Sequence, residues 1–310
     1  MNSDIFNRAR EACEQAGIEY KSVPLDGEWH QADLANDPRG RGDGRIKLFP
    51  DGQGGIVWNH KTGEKQNFFL DRQTAAPISA EERARIKAEQ ERRQQERRER
   101  QNRAARRARA IWQAAKPAPL DHPYLAKKQI QPHGARVATW HRLHLDENRK
   151  HQNVVIENAL LIPLFNEAGA FRNLQAIFPT ESPELGRGKD FIPFGELSGL
   201  FWWIGAENTD PVLVAEGFAT AATLHEQTGY RAYVAFSAGN LTAVAQIIRK
   251  HRPKVKIILC ADNDEKTPGN PGMTAAKKAA LAVGGFLAMP PVAGDFNDYA
   301  NLEKANEKTT

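Results

Sequence analysis

Val255-Lys-Ile-Ile-Leu-Cys-Ala261 runs directly into Asp262, Asn263 and Asp264, and a second apolar run, Pro211-Val-Leu-Val-Ala215, ends at Glu216. Short, continuous apolar runs of this kind are typical of strands buried on both faces of a parallel sheet. Helical segments alternate with them, so the pattern is βαβαβα and predicts an α/β fold with helices flanking a parallel sheet. The other predicted elements are strands at 231–236 and 285–288 and helices near 219–228, 241–251 and 273–283.

Acidic residues at the ends of these strands form the candidate site. Open α/β sheets bind ligands in the crevice outside the carboxyl ends of their strands. Asp262 and Asp264 are two residues apart, so their side chains point to the same side. Glu216 ends the neighbouring strand, and Asp295 and Asp298 of Gly294-Asp-Phe-Asn-Asp298 follow the last one. Crowded carboxylates favour Mg²⁺ or Mn²⁺. The sequence therefore predicts metal-dependent phosphoryl transfer.

Three familiar site types do not fit these residues. An EF-hand counted from Asp262 needs glycine and glutamate where the chain has Thr267 and Met273. A dinucleotide-binding turn needs several glycines, but Glu216 is followed by one. A P-loop needs Ser or Thr after Gly-Lys, and Lys189 is followed by an aspartate.

Composition suggests an ordinary multidomain chain. It has 310 residues, a formal net charge of +5 and two cysteines, Cys13 and Cys260. Two cysteines exclude a disulfide framework and a four-thiolate zinc site. The amino terminus lacks a basic start followed by an apolar run, and no apolar stretch is long enough to span a bilayer, so we expect a cytoplasmic protein.

Composition shifts along the chain predict five segments. The first is rich in short strands and turns, including Arg39–Gly44 and a hairpin formed by 45–49 and 56–58. The second is a charged helix whose Ser79 and Glu82 have the spacing of a capping box. The segments are a small β-rich module at 1–75, a charged helical linker at 76–117, a mixed α+β subdomain at 118–208, the βαβ-type domain at 209–302 and a polar tail at 303–310.

The charged helix has two interpretations. Arginines outnumber glutamates from Arg92 to Arg109. Such a stripe either binds phosphates or is simply a solvated spacer between two modules, and a charge run alone does not decide between them.

The three acidic clusters resemble the Toprim domain of primases. The similarity rests on Val212-Leu-Val-Ala-Glu-Gly217, Leu259-Cys-Ala-Asp-Asn-Asp264 with Gly272, and Gly294-Asp-Phe-Asn-Asp298. Upstream segments, such as His122-Pro-Tyr-Leu and Gly188-Lys-Asp-Phe191, look like the amino-terminal half of a primase catalytic core. Together the similarity covers about residues 118–300, and this variant is similar to primases carried by plasmids, conjugative elements and phages.

That resemblance implies a DNA primase that makes short RNA primers on a single-stranded DNA template from ribonucleoside triphosphates with Mg²⁺ or Mn²⁺. Glu216 would be a general base or metal-orienting group, Asp262 and Asp264 metal ligands, and Asp295 or Asp298 would contribute through water. A separate helicase or replication initiator would open the duplex, and no membrane partner is implied. The expected nucleotide- or DNA-binding residues are Arg172, Gln175, Arg187, Lys189 and Asn240.

Some points stay open at this stage. Residues 25–70 resemble the layout of the zinc-binding template module of such primases, but the thiolates are absent, so either metal-free template recognition or a lost function is implied. Trp140, Trp202 and Trp203 suit either base stacking or a core. A Toprim-type nuclease and a non-catalytic replication adaptor remain alternatives to the primase.

Overall fold

The computed structural model describes residues 3–35, 37, 42–70, 80–145, 150–265, 267 and 269–307. It contains two compact units, Met1–Arg97 and Arg98–Thr310, whose boundary falls inside one helix. Part of the predicted Arg39–Gly44 turn, together with Ser79 and the side chain of Glu82, lies outside what the structure describes.

The first unit packs one helix on a four-stranded antiparallel sheet. Alternate residues of the strands point inward, such as Ile46, Leu48 and Val57, and pack against the apolar side of the helix. The helix is followed by Gly17, whose φ of +66° suits glycine. The hairpin predicted for 45–49 and 56–58 is confirmed by the pairing of the second and third strands. In chain order the elements are α1 (Ser3–Gln15), β1 (His30–Ala32), β2 (Gly44–Leu48), β3 (Gly54–Asn59) and β4 (Lys65–Phe69), and the strands lie in that order in the sheet.

A long helix, α2 (Ala80–Ala114), spans the unit boundary. It has no internal glycine or proline, in keeping with its length. The expectation of a helix solvated throughout is wrong for its last third: Ala104 and Ala108 are buried, and Trp112 packs beside them. Because alanine side chains are small, the helix can lie close to the sheet of the second unit. The charged composition of the helix gives no sign of this buried side.

The second unit begins with a five-stranded antiparallel sheet. The apolar segments 158–165 and 169–177 predict two strands, and the structure confirms both as parts of its longest strands. A ten-residue strand, β6, was not predicted, because histidines and arginines interrupt its apolar residues. The strands are β5 (Lys116–Pro117), β6 (Arg136–Leu145), β7 (His151–Phe165), β8 (Phe171–Ser182) and β9 (Arg187–Phe191), with α3 (Pro123–Lys128) between the first two.

A second five-stranded sheet forms the rest of this unit, and it confirms the predicted α/β fold. Three of its neighbouring strand pairs are parallel, and only the edge strand β10 is antiparallel to its neighbour. The spatial order is β10-β12-β11-β13-β14. The strands are β10 (Trp202–Ile204), β11 (Val212–Ala215), β12 (Arg231–Val234), β13 (Ile257–Cys260) and β14 (Phe286–Ala288). The helices are α4 (Phe218–Thr228), α5 (Leu241–His251), α6 (Pro271–Val283) and α7 (Phe296–Glu307).

The central strand β11 is buried on both faces. Val212 and Val214 contribute to the core on the side of α5 and α6, whereas Leu213 and Ala215 contribute to the core on the side of α4. This second core also contains Leu125 of α3 and strand residues of the antiparallel sheet, so the two sheets of the unit share packing. The strand β9 pairs with β8, whose Ile177 belongs to this shared core.

Two further expectations are settled by packing. Trp140 is buried and donates from Nε1 to Asp190 at 3.0 Å, so it is a core residue. Trp202 and Trp203 also pack against the cores, beside Phe165.

The predicted polar tail begins inside α7, which extends to Glu307. No helix in the described part of the chain is long and apolar enough to cross a membrane.

Candidate active site

Strand register brings Glu216 and Asp262 to one edge of the parallel sheet. Ala215 at the end of β11 pairs with Cys260 at the end of β13. Glu216 follows the first directly, and Asp262 lies two residues beyond the second. Adjacent strands are about 4.8 Å apart, so the two side chains emerge as near neighbours.

Burial and neighbouring carboxylates raise the pKa of Asp262 and of Glu216 at this edge. Burial, followed by the charges of Glu216, Asp295 and Asp264, raises the pKa of Asp262 to about 7, while Lys189 opposes them. Burial likewise raises the pKa of Glu216, with Asp264 adding to the effect and Lys189 lowering it. The charges that act on Asp262 and Glu216 therefore come mostly from other carboxylates, and within the described residues Lys189 is the one cation among them.

Asp262 has an unused oxygen suited to a cation. Its Oδ1 is buried and has no hydrogen-bond partner among the described residues. A buried carboxylate oxygen without a partner is costly unless a positive charge neutralises it. Hard oxygen ligands fit Mg²⁺ or Mn²⁺. Over the same described residues, no three His, Cys, Asp or Glu side chains already form a group that could hold a metal ion. The donor chemistry therefore fits a divalent cation, and ligand side chains would have to adjust to enclose one.

The amino terminus of α6 holds Asp264. Its Oδ2 accepts from the backbone N–H of Gly272 at 3.1 Å, where helix N–H groups favour an anion. Its own N–H donates to Oδ1 of Asn270, the helix N-cap, at 3.0 Å. A Cβ on Gly272 would lie 2.9 Å from the backbone oxygen of Asp262 and 2.9 Å from Oδ2 of Asp264. Glycine is thus required here for close approach.

Asn263, between the two aspartates, ties the site to the next loop. Its Nδ2 donates to the backbone oxygen of Val292 at 3.2 Å, and its Oδ1 accepts from Asn270 at 3.2 Å. Its backbone also pairs with Gly294. Sequence reasoning missed Asn263 and Asn270 as positioning residues. The one local signal was Asn270 immediately before Pro271, a combination typical of a helix start.

Asp295 and Asp298 cap α7. The N–H of Asp298 donates to Oδ1 of Asp295 at 2.9 Å, and the N–H of Asp295 donates to Oδ2 of Asp298 at 3.3 Å. Asp298 also pairs with Lys128 at 3.0 Å. Burial and the charges of both aspartates raise the pKa of Tyr124. These reciprocal hydrogen bonds give both aspartates a structural role as helix caps. The charge of Asp295 also raises the pKa of Asp262.

A cation-lined cleft adjoins the acidic edge. Lys189 lies on β9, and it is close enough to lower the pKa of both Glu216 and Asp262. It also lines a cleft of about 420 Å³. Arg187, at the same cleft, pairs with Asp190 at 2.8 Å. The cleft has four basic side chains and one acidic one, namely Lys127, Lys128, Arg187, Lys189 and Glu181.

The side chains of three predicted binding residues are either buried or paired within the fold. Arg172 pairs with Glu196 at 2.8 Å and donates to Asn102 of α2 at 3.0 Å. Gln175 is buried within β8. Asn240 is buried, donates to the backbone oxygens of two loops and accepts from a third backbone group at 2.7 to 2.8 Å. None of these three shifts the pKa of Glu216 or Asp262.

Residues 211–305 match the family model of the Toprim domain, which confirms the resemblance at its best-defined part. Two relatives from Escherichia coli are both named DNA primase TraC. One is 28% identical over 289 residues, covering 89% of this chain and 25% of the relative. The other is 30% identical over 288 residues, covering 89% of this chain and 18% of the relative. The chain therefore spans a quarter or less of these relatives' length.

Solved structures of primases are also similar in fold. A DNA primase domain from Pseudomonas aeruginosa has a TM-score of 0.45 and 14% identity, covering 66% of this chain and 77% of that one. The primase fragment of the bacteriophage T7 primase-helicase protein has a TM-score of 0.40 and 12% identity, covering 91% and 98%.

Proposed function

We propose that this chain, which carries a Toprim domain and is similar over most of its length to DNA primases named TraC, is a primase acting in the replication or transfer of a mobile element. It would join ribonucleotides on a single-stranded DNA template by nucleotidyl transfer that depends on Mg²⁺ or Mn²⁺. The observation that carries the proposal is the buried, unpartnered oxygen of Asp262 at a strand end shared with Glu216 and Asp264.

The acidic side chains have separable roles in this proposal. Asp262 and Asp264 would hold the divalent cation, which when bound supplies positive charge to the phosphates that react. Glu216, with its raised pKa, would accept the proton of the attacking 3′-hydroxyl or orient that cation's ligands. Asp295 and Asp298 would act at longer range, since their carboxylates already cap α7.

Lys189 is the residue that we assign to the incoming triphosphate. It lies between the acidic edge and the cleft, so it can offset phosphate charge next to Asp262. Neither Lys189 nor Lys127 has an ion-pair partner within the described residues, which leaves both cations available. Arg187 would assist, although Asp190 shares its charge.

For the three residues held by internal contacts we propose positioning roles. Arg172 would hold α2 against β8 through Asn102, and Asn240 would fix the loop before β10 relative to the end of β12. Gln175 would support β9, with which its strand pairs. Substituting them should affect stability more than the apparent affinity for nucleotides.

The test is primer synthesis by the purified chain. Single-stranded DNA of mixed sequence, four ribonucleotides and Mg²⁺ or Mn²⁺ should yield labelled oligonucleotides. Asp262→Asn and Glu216→Gln should each abolish them. Asp121→Asn and Glu207→Gln make the same chemical changes at exposed positions and should leave synthesis intact.

Other outcomes would replace the proposal. Cleavage of the DNA that depends on Glu216, without new oligonucleotides, would identify a Toprim-type nuclease. DNA binding with neither reaction, and unchanged in both active-site variants, would favour a non-catalytic adaptor.

A further inference from the structure

The outward face of the first unit's sheet combines aromatic and basic residues. Side chains alternate along strands, so residues paired across β2, β3 and β4 share a face. One such row is Arg45, Trp58 and Lys65. The next row is Lys47, Ile56 and Asn67. The opposite face carries the buried apolar residues that pack on α1.

The aromatic rings of this face lie against one another. The ring centroids of Trp29 and Trp58 are 6.1 Å apart, with an interplanar angle of 62°. The ring of His60 stacks on Trp58 with centroids 3.8 Å apart. Burial and the charge of Arg45 lower the pKa of His60, which favours its neutral ring. The result is a continuous aromatic surface, of which Trp29 is 37% exposed.

Lysines border these rings. The ammonium of Lys65 lies 5.6 Å from the centroid of Trp29 and 5.9 Å from that of Trp58. The ammonium of Lys47 lies 5.9 Å from the centroid of Trp29. Both lie within the range of a cation–π contact. We refer to Trp29, Arg45, Lys47, Trp58, His60 and Lys65 together as the tryptophan face.

The positive charge of the tryptophan face is not neutralised by the paired rows, which contain no acidic residue. Several cations elsewhere in the unit have carboxylate partners. Examples are Arg8 with Glu11, Lys21 with Asp33 and Lys61 with Asp37. Lys47 and Lys65 form no ion pair within the described residues. A ligand that supplies both negative charge and flat apolar rings would therefore complement this face.

We propose that the tryptophan face binds a single-stranded polynucleotide, whose bases stack on Trp29 and Trp58 and whose phosphates meet Lys47 and Lys65. Unpaired bases expose rings that stack on aromatic side chains, and basic residues beside them follow the backbone. In a duplex the bases stack on one another, so its rings cannot reach the tryptophans. The inference goes beyond the proposed catalysis, because every residue it uses lies in the unit 1–97.

The first experiment locates the contact in the full chain. Oligonucleotides with 4-thiothymidine or 4-thiouridine at each position would be photo-crosslinked, and the attached peptides identified by mass spectrometry. Crosslinks of either DNA or RNA to Trp29, Trp58 or neighbouring peptides would support the proposal. Whichever of the two oligonucleotides crosslinks more strongly identifies the preferred polynucleotide. Crosslinks confined to residues 98–310 would overturn it.

The second experiment measures affinity by fluorescence anisotropy. Trp58→Ala and Trp29→Ala should each weaken single-strand binding about tenfold, as expected for lost base stacking. Lys65→Ala should reduce the steepness of the salt dependence, because one phosphate contact is lost. Lys61→Ala is the matched control, since it removes the same charge from a lysine paired with Asp37 off this face.

Separate control experiments test for effects on folding and on catalysis. Circular dichroism would show whether the alanine variants keep the fold, and the exposed Lys65 serves as the variant that leaves the core untouched. The catalytic variant Glu216→Gln should bind with parental affinity, so the two proposals can fail independently. Unchanged binding in Trp29→Ala, Trp58→Ala and Lys65→Ala, or tighter binding of duplex than of single strands at this face, would refute the inference.

Discussion

The carboxyl group of Asp262 is in surroundings that oppose its ionisation. Burial and three acidic neighbours raise its pKa to about 7, from an ordinary value of 3.8. Between these two pH values the folded chain holds a proton that the unfolded chain has released. Since the folded pKa is the higher one, this group's stabilising contribution is complete below the ordinary value and is lost as pH rises through the folded one.

Asp262→Asn should therefore stabilise the metal-free protein at pH 8 and much less at pH 4. The amide cannot ionise, so the variant escapes the cost of a buried charge. We expect a gain on the order of 1–2 kcal/mol in the free energy of unfolding at pH 8, since partial exposure screens the charge. Urea unfolding in EDTA at the two pH values measures it, and parallel pH profiles for parent and variant would contradict the assignment.

A divalent cation should reverse this preference. At pH 8, Mg²⁺ should raise the Tm of the parent in proportion to the logarithm of its concentration once the site is saturated, because it binds only the folded state. Asp262→Asn should show little of this rise, whereas Asp121→Asn, at an exposed position, should behave like the parent. An equal rise in all three proteins would indicate that Mg²⁺ acts elsewhere.

Gly272→Ala should disturb the site without touching a charged group. The added Cβ would lie 2.9 Å from the backbone oxygen of Asp262, which cannot rotate away. We expect a loss of about 1–3 kcal/mol in stability and at least a tenfold loss of primer synthesis. Gly239→Ala, where a Cβ meets nothing within 4 Å, serves as the stability control. Parental stability in Gly272→Ala would show that the loop adjusts freely.

The acidic residues could be predicted from sequence because each follows an apolar strand, and the register of parallel strands gathers such positions. The supporting residues could not. Asn263 and Asn270 matter through hydrogen bonds across loops that are distant in sequence. Conversely, Asn240 looked free to bind a nucleotide, but its side chain is used by three backbone groups.

At the scale of elements, α2 shows how a helix can hide its buried side. Its composition is dominated by arginine, glutamine and glutamate, and the residues that pack are mostly alanines. Without large apolar residues at helical spacing, a sequence pattern has no signal of burial. The helix α7 was missed for the same reason. In the sequence, its start shows only as the acidic residues Asp295 and Asp298.

Ala108→Glu tests the packing of α2. Ala108 is fully buried, so glutamate would bring a charge and excess volume into the core. We expect the second unit to lose several kcal/mol of stability, on the order of 3 kcal/mol or more. Ala110→Glu makes the same change on the exposed side of the helix and should shift stability by less than about 0.5 kcal/mol. Thermal unfolding compares them, and similar Tm values for both variants would show that the helix is not packed there.

At the scale of the whole molecule, the positive charge is concentrated in α2. This helix holds 12 basic and 6 acidic residues, so it exceeds the chain's formal net charge of +5 and leaves the remainder at −1. In its packed third, Arg103, Arg106 and Arg109 are exposed and turned away from Ala104 and Ala108. They form no ion pair within the described residues. The buried alanines pack the part of the helix that carries this row of arginines against the core.

A row of arginines without ion pairs among the described residues, on a helix packed against the core, favours the phosphate-binding interpretation of α2 over the solvated spacer. Replacing Arg103, Arg106 and Arg109 together by glutamine should weaken binding of single-stranded DNA at low salt. It should also make the slope of log affinity against log salt shallower by about two, at roughly 0.7 per lost phosphate contact. Anisotropy titrations over a range of salt concentrations measure both effects.

The control must separate contact from net charge. Replacing Arg8, Lys21 and Lys61 by glutamine removes the same charge from positions that already have carboxylate partners. If the row on α2 touches phosphates, only its own triple variant changes the slope, because counterions are released only where phosphates are contacted. Equal changes in the two triple variants would mean that binding responds to the charge of the whole molecule, and α2 would then be a spacer whose arginines serve solvation alone.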